Sequence, residues 1–161
     1  MINRNFKSAS KDSFMLLYKT MVRSQLEYAA SVWSPWTLKE IEAVEKVQKR
    51  ATKMIEEYQH LKYEDRLKCL KLPTLRYRRI RGDLLILFKI MTADDRRCFP
   101  QVKLHEDNPT RGHHLKLDKQ PFKTNLRKNY FTCRITKLWN SLNVDVVSAE
   151  NVLMLEKLLN S

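Results

Sequence analysis

The stretch Thr37–Tyr58, TLKEIEAVEKVQKRATKMIEEY, decides the class of fold. Ile41, Val44, Val47, Ala51, Met54 and Tyr58 step by three or four, the period of one helix face and not the period of two that a strand needs. Thr37 followed by Glu40 is a capping box: the threonine oxygen accepts from a free amide of the first turn and the glutamate reaches back. Glu42 with Lys46 and Glu45 with Lys49 are i,i+4 pairs in the favourable order on the outer face. The spacing predicts a helix with one apolar seam, running from Thr37 to about Tyr58.

The same period continues on both sides. Phe14, Leu17, Tyr18, Met21, Val22 and Leu26 predict a helix from Ser13 to about Ser31, closed off before Pro35. YEDRLKCLKL predicts a short helix stopped by Pro73, and Thr74 can cap the next, which runs to about Met91. Its inward face would be Tyr77, Ile80, Leu84, Leu87, Phe88 and Met91. From Thr92 to Thr110 the period fades, and Pro100 and Pro109 mark a loop or linker. HHLKLDK and FKTNLRKNYF alternate weakly, as a small hairpin or extended strands would. Phe131, Ile135, Leu138, Trp139 and Leu142 predict a further helix, and Ser148 can cap a last one through Val152, Leu155 and Leu159.

Composition agrees with helices and a real core. Of 161 residues 43% are apolar, and only two are glycine, too few for a turn-rich β fold. The charge is lopsided: 31 Lys and Arg against 18 Asp and Glu leave the chain at +13. Residues 1–73 hold net +5, residues 74–137 net +10 and residues 138–161 net −2. Such a field attracts polyanions, nucleic acid before anionic membrane. Three cysteines far apart, with no CxxC pair, suggest neither a zinc framework nor a disulfide scaffold. The N-terminus has no apolar signal region and no apolar run approaches a membrane span. These features lead to an expectation of an intracellular protein, cytoplasmic or nuclear, not secreted and not in a membrane.

Catalytic chemistry finds little support. Asp94 and Asp95 look like a polymerase metal-binding pair, but such carboxylates sit on a rigid hairpin between apolar strands. Here they follow an amphipathic helix, and Arg96 and Arg97 come directly after them and would neutralise a metal site. A solvated helix end or loop is the better reading. His60, His105, His113 and His114 lack metal-ligand spacing and read as surface histidines, with His113 and His114 on opposite faces of an extended segment. No P-loop, GxGxxG or GxSxG occurs. No catalytic residue, metal or cofactor is assigned.

The basic stretches carry the functional signal. RYRRIR places Arg76, Arg78, Arg79 and Arg81 on one helix, and arginine forks suit phosphate oxygens. TRGHHLKLDKQPFKTNLRKNYF adds Arg111, Lys116, Lys119, Lys123, Arg127 and Lys128, interleaved with Phe122, Tyr130 and Phe131. Basic groups could track a backbone while an aromatic stacks on a base; core aromatics beside solubilising charges would read the same way. Trp33, Trp36 and Trp139 read as packing residues, with Trp33 and Trp36 folded back around a bend at Ser34–Pro35.

Four motifs stand in series: LLYKTMVRSQLEYAASVWSPW, VEKVQKRATKMI, YEDRLKCLKLPTLRYRRIRGDLLILFKI and FTCRITKLWNSLNVDVV. In order and spacing they resemble the C-terminal part, thumb and beyond, of reverse transcriptases of non-LTR (LINE-type, jockey-like) retrotransposons, over about residues 14–159. Tyr18, Leu26, Glu27, Tyr28, Trp33 and Pro35 match one block. Val47, Gln48, Arg50 and Ala51 match the next, and Arg66, Leu67, Leu72, Pro73, Arg78, Arg79, Asp83 and Leu84 a third. Trp139, Asn140 and Ser141 match the last. Ser24 and Asn143 depart from the pattern, standing where the family often has proline. The resemblance implies an RNA-directed DNA polymerase parent whose palm, with the true Asp pair, lies upstream, so the stretch would be a fragment without the palm and Asp94–Asp95 an accidental likeness.

The expectation is a mainly α chain: a helical bundle lobe over 1–92, a linker over 93–110, and a smaller basic C-terminal lobe over 111–161, helical with room for one β-hairpin. Arg76, Arg78, Arg79, Arg81, Arg111, Lys116, Lys123, Arg127 and Lys128 are the expected contacts to the phosphates of RNA or an RNA–DNA duplex, without catalysis. The alternatives are a helical protein-interaction module or a relic with no selected function. Apolar surface left by a missing palm would favour self-association.

Overall fold

The computed structural model describes residues 11–92, 102–105 and 112–160. The chain is mainly helical: α1 Lys11–Leu17, a π-helical turn Tyr18–Arg23, α2 Ser24–Glu27, α3 Ala30–Trp33, α4 Leu38–Thr52, a 3₁₀ turn Glu56–Tyr58, α5 Tyr63–Leu70, α6 Leu75–Thr92, α7 Asn125–Asn129, α8 Phe131–Asn140, α9 Val144–Val147 and α10 Val152–Leu158. Among the described residues there is no sheet, and the extended segments make one antiparallel bridge, Leu104 to Leu117. The bridge is closed by His105 N–H donating to Lys116 O at 2.8 Å and Asp118 N–H donating to Lys103 O at 2.9 Å. The second half of the expected hairpin is helical instead: Thr124 caps α7 by accepting from Arg127 N–H at 3.2 Å.

Two compact units form, Met1–Arg79 and Ile80–Ser161. The division falls inside α6 and not in the 93–110 segment, of which only residues 102–105 are described. From Ile80 onward α6 supplies the core of the second unit. Leu84, Leu87, Phe88 and Ile90 pack with Phe131, Ile135, Trp139, Val147 and Leu155, the core of the second unit. The first unit has its own core of Phe14, Tyr18, Ile55, Leu67, Leu70 and Leu72.

Within the first unit the capping box at Thr37 forms as expected, and Thr74 caps α6 by accepting from Tyr77 N–H at 3.2 Å. The seam of α4 is turned from the one predicted: Val47 is exposed, while Gln48 and Thr52 are buried. Both polar side chains are paired. The Tyr18 hydroxyl donates to Gln48 Oε1, and Gln48 Nε2 donates to Tyr63 Oη and to Pro73 O, each at 3.1 Å. Thr52 Oγ1 donates to Gln48 O at 2.9 Å and accepts from Arg66 Nε at 3.2 Å. A buried polar group that is fully paired costs little, so hydrogen bonding overrides the apolar period here. The helix also ends earlier than Tyr58, because Ile55 turns into extended backbone (φ −81°, ψ 114°) to reach the core.

The N-terminal helix is broken where the sequence predicts one span. Thr20 Oγ1 donates back to Leu16 O at 2.8 Å and Ser24 Oγ to Thr20 O, hydroxyls that compete with the ladder around the π turn. Ala29 then adopts the left-handed region (φ 48°) and separates α2 from α3. Trp33 and Trp36, expected to pack inside, are both more than 40% exposed; the Trp33 indole donates to Tyr28 O at 2.5 Å. At the other end, Asn151 and not Ser148 caps α10, accepting from Met154 N–H at 2.8 Å. Ser148 is occupied in closing α9, its N–H donating to Val144 O.

One local strain yields a prediction. Lys71 ends α5 in the left-handed region (φ 50°), with Leu72 N–H reaching Leu67 O at 2.9 Å, a Schellman closure. Glycine suits that position better than any L side chain. Lys71→Gly should raise stability by about 0.5–1 kcal/mol, after the extra entropy of glycine in the unfolded chain is deducted. Urea denaturation with an unchanged m-value checks it; a lower midpoint would reject the strain argument.

Candidate nucleic-acid interface

The arginine helix does not present its guanidinium groups as the sequence suggests. Arg76 is exposed. Arg78 forks onto Glu27, with Nη2 to Oε2 at 2.9 Å and Nε to Oε1. Glu27 also faces Arg23 at 3.8 Å. Arg79 is buried: its Nη2 donates to Leu26 O at 3.0 Å and its guanidinium lies 4.8 Å from the centre of the Trp33 ring. Arg81 pairs with Glu156 at 3.3 Å. Three of the four arginines expected on phosphate are therefore engaged by the protein's own carboxylates, carbonyls and ring. A helix has only one solvent face, and arginines at 76, 78, 79 and 81 cannot all occupy it.

Asp83 explains the second half of this pattern. It is 4% exposed and accepts from Arg134 Nε at 2.8 Å and Nη2 at 3.0 Å. The two residues tie α6 to α8 within the second unit. A signal for Asp83 was present in the sequence: it stands three residues after Ile80 and four before Leu87, on the inward face, where a carboxylate requires a partner. Which base would supply it was not visible.

The basic segment over residues 112–137 behaves differently. Arg111 lies outside the described residues, as do Asp94 and Asp95. Over residues 112–137 there are seven Lys and Arg and one acid, Asp118. Lys119, Lys123 and Lys128 are exposed, whereas Lys116 and Arg127 are partly buried. The end of the Lys116 side chain lies over Gly112, whose φ of 90° is one that L side chains rarely adopt. Arg127 Nη2 donates to Gln120 Oε1 at 2.9 Å and its guanidinium sits 5.2 Å from the Tyr130 ring centre. Lys128 Nζ lies 5.9 Å from the Phe122 ring centre. Phe122 and Tyr130 are each 50% exposed, so the interleaved aromatics are divided: Phe131 is core and the other two are surface.

Beside this cluster lies a half-open groove of about 680 Å³, lined by Lys116, Asp118 and Lys119 with His105 and Asn140. His105 Nδ1 is 2.7 Å from Asp118 Oδ1. The groove floor is held by Asn140, which accepts from Leu117 N–H and donates to Leu117 O, both at 2.9 Å. The Trp139 indole donates to Leu115 O at 2.7 Å, and His113 Nε2 donates to Trp139 O at 3.1 Å. His113, expected at the surface, is thus a core residue, while His114 is exposed. Spacing alone missed His105 and Asp118, because they meet only through the bridge at Leu104 and Leu117.

Among the described residues no group of three His, Cys, Asp or Glu could hold a metal ion, and no helix is long and apolar enough to cross a membrane. Cys69 and Cys133 are free thiols.

The Asp83–Arg134 pair gives the prediction of this site. Asp83→Ala leaves Arg134, mostly buried, without its carboxylate and should cost about 3 kcal/mol of stability. Arg134→Met, which keeps volume and removes the charge, takes the guanidinium fork away from the buried Asp83 carboxylate and should be as damaging alone. The Asp83→Leu, Arg134→Met double variant should recover much of the loss. A thermal melt of all three measures it, and full additivity of the singles would sever the coupling.

Set against known proteins, the chain matches no family model, no curated protein and no solved structure.

Proposed function

We propose that the chain binds nucleic acid through its phosphates, without catalysis, as the region that follows the palm in a non-LTR retrotransposon reverse transcriptase. The observation that carries this reading is the concentration of base over residues 112–137, seven Lys and Arg against one Asp, of which Lys119, Lys123, Lys128 and Lys137 are exposed, on a chain of net +13. The series of motifs from Tyr18 to Ser141 supports the parentage. The contact set is narrower than the arginine pattern suggests: Arg76, Lys119, Lys123 and Lys128 offer exposed charge, and Lys116 and Arg127 border them. The ligand is RNA or an RNA–DNA duplex, and an intracellular site, cytoplasmic or nuclear, belongs to the same proposal.

A second reading, a protein-interaction module or self-associating fragment, draws on one feature. Leu16, Met21, Tyr28, Val32, Trp36 and Leu38 are all large, apolar and exposed in the first unit. Apolar surface of this kind favours a protein partner.

Salt separates the two. Phosphate contacts release counterions, so binding falls steeply as salt rises, whereas apolar docking hardly changes. With a fluorescent RNA–DNA hybrid, anisotropy should show binding at low salt that weakens by at least tenfold between about 50 and 200 mM salt. Lys119→Ala, Lys123→Ala and Lys128→Ala combined should flatten that slope by about two to three units, while Arg78→Ala should act on stability and not on the slope. Absence of binding by the folded chain at low salt would overturn the proposal.

A further inference from the structure

We infer that the second unit carries a platform for single-stranded nucleic acid, with Phe122 and Tyr130 as the base-stacking rings. This rests on the nucleic-acid reading and adds to it the strandedness of the ligand and the residues that sense it. Phe122 and Tyr130 stand eight positions apart, one on either side of a short helix, and each is half exposed, so a ring face is open to solvent at both ends of that helix. Each ring has a cation near it, Lys128 for Phe122 and Arg127 for Tyr130. A cation beside a ring places positive charge next to whatever stacks there, the pairing of base and phosphate contacts that single strands need.

The rest of the surface favours the same ligand. Lys123 lies between the two rings in sequence and is exposed. Gln120 joins the platform to the groove: its Oε1 accepts from Arg127 and, at 3.4 Å, from Thr132 Oγ1, while the residues just before it, Lys116 to Lys119, line the groove. Lys119, which lines the groove, and Lys123, next to Phe122, are both exposed and could meet the phosphates of one strand. At about 680 Å³ the groove has the volume of a small-molecule site, enough to take an unpaired base. Paired bases keep their faces covered by neighbours, so only an unstacked strand can use Phe122 and Tyr130.

The test uses the full chain and three labelled oligonucleotides of equal length: a uridine-rich single strand, the matching duplex, and a strand of tetrahydrofuran abasic units with the same phosphates. Phe122→Ala and Tyr130→Ala are compared with Phe122→Tyr and Tyr130→Phe, and a thermal melt checks that each variant folds. The single strand should bind more tightly than the duplex. Each alanine variant should lose about tenfold on the single strand, and the conservative variants almost nothing. On the abasic strand and on the duplex, the alanine variants should match the unsubstituted chain. If the alanine variants bind the single strand as well as the unsubstituted chain, with binding still steep in salt, the platform is overturned and the phosphate reading stands. If the unsubstituted chain binds none of the three at low salt, both fall.

Discussion

The carboxylate of Glu45 is the point at which three segments of the first unit are joined. It accepts from the backbone N–H of Leu75, at 3.1 Å for Oε2 and 3.3 Å for Oε1, and from the Tyr63 hydroxyl. A helix N-terminus has unpaired amides and partial positive charge, so an acid from another helix is a favourable partner. Burial, followed by the contact with Glu45, pushes the Tyr63 hydroxyl well above the ordinary phenol range, and it stays a donor at any ordinary pH. Burial does the same to Tyr18, which donates to Gln48 one turn further along α4. Further along α6, Arg78 meets Glu27 and Arg79 meets Leu26 O within the first unit. Within the second unit, Asp83 is buried and pairs with Arg134.

Arginine and lysine divide the work. Arg66, Arg78, Arg79, Arg81 and Arg134 all have internal partners, and Arg66 alone reaches Leu61 O at 2.6 Å, Thr52 Oγ1 and Lys49 O. A planar fork with several donors can satisfy carbonyls and carboxylates from inside a helical framework, and a lysine ammonium cannot do so in the same geometry. The lysines around α7 are at the surface. Net charge therefore overstates how much of the positive field belongs to a ligand, and the residues that matter are those whose charge has no internal use.

The sequence motifs divide along the same line. Gln48, Arg66, Arg78, Arg79, Asp83, Trp139 and Asn140 are among the matched positions of those blocks, and each one makes an internal contact. They describe how the chain holds itself together. The surface that could meet a partner lies in the loosely patterned stretch from Lys116 to Tyr130, where no motif was evident. A resemblance carried by framework residues speaks to ancestry more than to chemistry.

The sequence by itself determined the helical class, the capping box at Thr37, the stop at Pro73, the cap at Thr74, and the apolar positions of α6 from Ile80 onward and of α8, because these depend on neighbours three or four residues away; Tyr77, expected to face inward, is exposed. It also located the excess of positive charge. Only the tertiary structure decided that Gln48 and Thr52 face inward while Val47 faces out, that His113 is core, and that Trp33 lies against Arg79 at the surface. The same holds for the groove at His105 and Asp118, residues separated by a segment whose path no local period describes. The paired side chains among these depend on a partner 13 to 46 positions away. A buried polar side chain is stable only if that distant partner arrives, and the sequence shows the need without showing which residue answers it.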